Sequence, residues 1–159
     1  MSNVVTRGVT EYRRRAFIGL IAQAPATGGD PLEQWASHAP LWEVFSGRTD
    51  LLRALQEHWT DLLSHRVYGA PRYPLGPEGL RATYAELAAT HPALRAVLDR
   101  HADDAELADL RLAEEVLVAR AAGNLDTRAS ISTLAWRARD LIASVPAQRE
   151  APLVAALEE

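Results

Sequence analysis

Apolar residues recur at three- and four-residue steps along almost the whole chain, the spacing of helices that bury one face. Val9, Tyr12, Ala16, Phe17, Leu20, Ile21 and Ala24 make a first stripe, and "APATGG" ends it. "DPLE" at 30–33 restarts a helix: Asp30 can cap, Pro31 suits the first helical position, and Glu33 completes a capping-box-like pattern. Pro40 keeps that helix short. "PLWEVFSG" supplies another turn or two, closed by Gly47, and Thr49 or Asp50 caps a long helix running to about Tyr68.

"YGAPRYPLGPEG" is dense in Pro and Gly and predicts one irregular loop near 69–79. Loops of that length are often functional, and this one could act as a lid. Leu80, Tyr84 and Leu87 mark a helix ending near His91 and Pro92. Pro92 starts another, with Leu94, Val97, Leu98 and His101 on one face. "DDAE" offers Asp103 as a cap for a long helix that stops at Gly123, a left-handed C-cap. Asp126 or Thr127 opens the next, striped by Ile131, Leu134, Ala135, Ala138, Leu141, Ile142 and Val145 and stopped by Pro146. A last short helix from Pro152 holds Leu153, Val154 and Leu157. Strand alternation, hairpin dipeptides and solenoid repeats are absent. The expectation is an all-α, single-domain bundle over residues 1–159, with about seven helices, several of them short.

Composition narrows the chemistry. With 159 residues and 48% apolar content the chain can bury a core without staples. It has no cysteine, which removes disulfides, thiolate metal sites and cysteine nucleophiles. All 17 basic residues are arginine. No lysine can form a Schiff base, and a Walker-type phosphate loop is excluded. No nucleophile elbow or dinucleotide fingerprint is present. A net charge of −4 argues against nucleic acid, which needs a basic face. The one basic cluster, Arg13 to Arg15, reads as the polar face of the first helix. The amino-terminal stretch lacks the pattern of a signal peptide, and no apolar run reaches the length of a membrane span. The expectation is a soluble, cytoplasmic protein with no membrane partner.

Polar residues on apolar faces are the candidates for chemistry. On the 50–68 helix, Leu52, Leu55, Trp59, Leu62 and Leu63 form the buried arc. His58 and His65 lie on its flank with Asp61 just beyond. The two histidines are about 10 Å apart along the axis, too far to share an ion. His58 with Asp61, or Asp61 with His65, could contribute to a metal site only with ligands from another helix. The plainer reading is an i,i+4 pair of Asp61 and His65. On the following long helix, Leu107, Leu110, Leu117, Val118 and Ala121 make one apolar face with Glu114 in its middle. Leu112, Val116 and Ala119 make a second, so the helix should be central and Glu114 partly buried. A buried carboxylate must pair, hydrogen-bond or protonate. The plain reading is an arginine–Glu114 pair. The functional one is a ligand-facing acid, with His91 and His101 brought near it.

Trp35, Trp42, Phe45 and Trp59 concentrate aromatic weight in a short span, as a local core or as the wall of a pocket for a small apolar ligand. Trp136 lies off the stripe of its helix and is a candidate interface residue. Together these features suggest a non-catalytic helical binding or regulatory protein, homodimeric, acting through a protein partner or a small ligand at Glu114, His101, His91, Trp42 and Trp59. No cofactor is expected on that reading. The alternative is a helical-bundle enzyme, or a protein holding a metal ion or haem, with an internal His/Glu site.

Overall fold

The helical period becomes seven α-helices and no strand among the described residues. A computed structural model describes residues 2–23, 32–33, 39–123 and 130–143. The helices are α1 (Ser2–Gln23), α2 (Ala39–Trp42), α3 (Arg48–Tyr68), α4 (Gly76–Thr90), α5 (Pro92–Arg100), α6 (Ala108–Ala121) and α7 (Ile131–Ala143), with a 3-10 turn at Ala105–Leu107 leading into α6. The cap expected at Asp30 and the helix expected from Pro152 lie outside the described residues.

α3 is the middle of the bundle. It touches α1, α4, α5, the 3-10 turn and α6. Leu51, Leu52, Ala54, Leu55, Trp59, Leu63 and Val67 are all buried along it. Burying one such leucine stabilises by about 2 kcal/mol, so this face alone is a large part of the driving force. α6 lies on α3 and carries α7 on its other side; of the second apolar face expected for it, Ala119 is buried and Val116 half-buried, but Leu112 is exposed. α4 spans α5, α6 and α7, and α1 packs on α5 and α3.

The element ends follow local chemistry, with several shifts from the expected positions. Neither Thr49 nor Asp50 is the N-cap of α3; Gly47 is, without a side-chain bond. Asp50 sits one turn in and reaches back to the Ser46 N–H at 2.9 Å. α4 begins at Gly76, inside the stretch expected to be loop, because Pro77 fits a first turn where no N–H is needed. His91 ends α4 and caps α5, since the residue before Pro92 is pushed out of helical conformation. His101 is therefore not on the face of α5; it is the residue after its last turn. Asp104, not Asp103, caps the turn before α6, accepting from Glu106 N at 3.0 Å. Gly123 closes α6 at φ +91°, a conformation L side chains rarely adopt. α7 starts at Ile131, with Ser130 Oγ accepting from Thr133 N. Asp126, Thr127, Val145 and Pro146 lie outside the described residues.

The stripe of α1 is rotated from its expected position. Ile21 and Ala22 are buried and Phe17 and Ile18 pack on the core, while Tyr12, Ala16 and Leu20 are exposed. Arg14 falls on the side that faces α3. Its guanidinium holds both Asp50 carboxylate oxygens at 2.8 Å and lies 4.5 Å over the Phe45 ring. Further charged ties cross between helices: Arg53 to Asp109 joins α3 to α6, Arg66 to Glu86 joins α3 to α4, and Thr49 donates to Glu106. No described helix is long and apolar enough to cross a membrane.

Candidate functional site

Glu114 lies where α3, α4 and α6 meet and is only 6% exposed. Gln56 and Trp59 are three residues apart on α3, so one helix face presents both side chains to it. Glu114 Oε1 accepts from Trp59 Nε1 at 2.8 Å and from Tyr84 OH at 3.1 Å, and Oε2 accepts from Gln56 Nε2 at 2.7 Å. The arginine expected beside it is Arg95 of α5. Its Nη1 stands 3.9 Å from Glu114 Oε1, within reach as an ion pair but too long for a hydrogen bond. Arg95 instead donates to Tyr84 OH at 2.9 Å and to Asp99. It lies 4.9 Å over the Trp59 ring, a cation–π arrangement. Trp59 and Tyr84 meet edge to face at 5.3 Å.

The buried carboxylate is therefore held by neutral donors directly and by a guanidinium at one remove. Burial, then the charge of Glu114, pushes the Tyr84 hydroxyl well above its ordinary range, so it remains a donor. No buried side-chain nitrogen or oxygen among the described residues lacks a partner. A fully connected network of this kind fixes side-chain positions.

A cavity of about 210 Å³ opens beside this network. Gln56, Tyr84, Arg95, Asp99 and Glu114 line it. Arg111, Glu115 and Arg139 line it as well, and Leu98, Ala102, Ile142 and Ala143 supply its apolar surface. Glu115 is buried as well, facing α7, where Arg139 Nε and Nη2 bind its two oxygens at 2.5 and 3.1 Å. Sequence reasoning reached Glu114 and Trp59 separately but missed Gln56, Tyr84, Arg95, Arg111, Glu115 and Arg139 as polar participants. Glu115 had a legible signal: a helix packed on two sides must bury polar positions on both. The arginines had none, because arginine is spread through the chain.

The other expected site residues fall elsewhere. His91 Nδ1 meets the Ala22 carbonyl at 3.0 Å, tying the end of α1 to the α4–α5 corner. Arg48 Nη2 lies 3.1 Å from His101 Nε2. Neither histidine lines the Glu114 cavity. His58 and Asp61 border a different cleft of about 450 Å³ between α1 and α3, with Glu11, Arg14, Arg15 and Glu57. Half-buried His58 is pushed below its ordinary pKa, by burial first and the charge of His91 second. His65 Nδ1 meets Asp61 through the backbone carbonyl at 2.7 Å rather than through the carboxylate. Among the described residues no three His, Asp or Glu side chains are grouped to hold a metal ion.

The expected aromatic wall is not assembled around the cavity. Trp59 faces Tyr84, Phe45 lies under Arg14, and Trp42 is at the surface. Trp35 lies outside the described residues. The 69–75 segment is no lid on the cavity: its Leu75 N donates to the Ala121 carbonyl at the end of α6. Arg13, Arg14 and Arg15 each meet a carboxylate, Glu43, Asp50 and Glu11 respectively. Trp136 stands on α7 at 66% exposure. No protein family, curated protein or solved structure matches this chain.

Proposed function

We propose that the protein is a non-catalytic helical binding protein and that the cavity beside Glu114 is its small-ligand site. The observation that carries this reading is the Glu114 network. A buried carboxylate, a phenol and an amide that line the cavity are locked together, with the Trp59 indole N–H holding the carboxylate from behind, and Leu98, Ala102, Ile142 and Ala143 add apolar surface. That combination of apolar surface and a few fixed polar groups is what small-molecule sites share. At about 210 Å³ it is smaller than the roughly 300–1,000 Å³ of drug-sized sites, so the ligand is small. Both oxygens of Glu114 are already occupied by Gln56 and by Trp59 and Tyr84, and both oxygens of Glu115 by Arg139, which supports binding over catalysis by these two acids. Indole N–H resonances give the test. A screen of small fragments by NMR should yield binders that move the Trp59 indole signal, and a screen in which none does so removes the reading.

A homodimer is a second part of the proposal, since two-fold pairing is the commonest assembly. It is supported by the exposure of Trp136 and Ile131 on α7. Light scattering at micromolar concentration should report twice the chain mass, and a monomer there counts against it.

A further inference from the structure

Three arginines line the cavity, and they differ in what they meet. Arg95 binds Asp99, and Arg139 binds both oxygens of Glu115. Arg111 has no hydrogen-bond or ion-pair partner among the described residues. It is nevertheless half-buried, and it sits on the cavity wall three residues before Glu114 on α6. Residues at that spacing share a helix face. A half-buried arginine whose guanidinium carries five donors thus lines a space also bordered by Leu98 and Ile142.

We infer that the cavity takes a small organic acid, its carboxylate bound by Arg111 and its hydrocarbon part laid against Leu98 and Ile142. This assignment rests on the small-ligand reading above. A guanidinium and a carboxylate match as two parallel hydrogen bonds, the strong form of this contact. The buried acids nearby set the charge of the ligand. Glu114 and Glu115 stand on the same helix and Asp99 lines the cavity with them, and these acids would oppose a doubly charged phosphate more than a singly charged carboxylate. Glu114 is turned to Trp59, Tyr84 and Gln56, so its oxygens do not occupy Arg111.

Isothermal titration of the full chain with benzoate, its neutral analogue benzamide, and inorganic phosphate tests this. Benzoate should bind, and benzamide and phosphate should each bind about tenfold more weakly or worse, the difference one charge-assisted contact makes. Arg111→Gln should lose benzoate by about the same factor, keep the wild-type melting temperature and leave benzamide unchanged. Arg111→Lys, with the charge but without the fork, should fall between. Benzamide binding as tightly as benzoate, or Arg111→Gln retaining benzoate, overturns the acid assignment and leaves the small-ligand site standing. Phosphate binding more tightly than benzoate also overturns it. Fragments that move the Trp59 indole signal while benzoate does not bind would do the same. A Trp59 signal that no fragment moves removes the site itself.

Discussion

Trp59 Nε1 donates to Glu114 Oε1 at 2.8 Å, joining α3 to α6 where the indole is fully buried and the carboxylate nearly so. Each residue resolves the other's difficulty. A buried indole N–H needs an acceptor, and a buried carboxylate needs donors. Removing the acceptor strands Trp59, Tyr84 and Gln56 together. Glu114→Leu should therefore lower stability by about 3 kcal/mol or more, whereas Glu114→Gln, which keeps an acceptor oxygen, should cost about 1 kcal/mol. Urea denaturation reads both values. Equal costs would show that water replaces the carboxylate.

Acid should weaken the junction of α1 and α3. The Arg14 guanidinium, helped by the Ser46 N–H, holds Asp50 at about 2, against 3.8 for an ordinary aspartate. Unfolded, Asp50 returns to its ordinary value and binds a proton first as pH falls. Its contribution is full above the unfolded pKa and is lost as pH drops through the folded value of about 2. The pair is partly exposed, so about 1 kcal/mol is at stake after screening. Between pH 5 and pH 2, taken as roughly the titration range of carboxylates, Asp50→Asn should show a flatter stability profile than the wild type. Parallel profiles would contradict the contribution.

A second, separate window belongs to His58. Burial and the neighbouring charge of His91 lower its pKa from 6.5, with Asp61 opposing. The unfolded chain then binds the proton at higher pH than the folded one. The stabilisation is fully present above the unfolded pKa and is lost as pH falls from there through the folded value. His58→Gln should remove this step while leaving the Asp50 step in place. An NMR titration placing His58 at or above 6.5 would contradict it.

Gly123→Ala tests the end of α6. The position has φ +91°, where a side chain is strained. The substitution should cost about 1 kcal/mol without altering the Glu114 network, as the Trp59 indole NMR signal would report. A neutral effect would show that the C-cap relaxes.

Much of the bundle was legible because helix burial is periodic. The arc of α3 and the main face of α6 are local patterns, and Leu52, Leu55, Trp59, Leu63, Leu117 and Val118 are buried as read, whereas Leu112 of the second face of α6 is exposed. The stripe of α1 was misplaced because its pattern held two choices of face, and the one taken is tied to α3 through contacts such as Arg14 with Asp50, 36 residues away. The same limit applies to the site. Glu114 and Trp59 each stood out by position, but their bond spans 55 residues.

The sequence by itself determined the helices of the described residues, the near position of most of their ends and the presence of a carboxylate on a buried face. These follow from the 3.6-residue period, from proline and glycine chemistry and from the cost of burying charge. Only the tertiary structure decided which donors meet Glu114, which arginines are committed to acids, and that His91 and His101 serve other junctions. Helical periodicity specifies which way a side chain faces along its own helix. It carries no information on which helix faces it, because that depends on how all the apolar faces pack together at once.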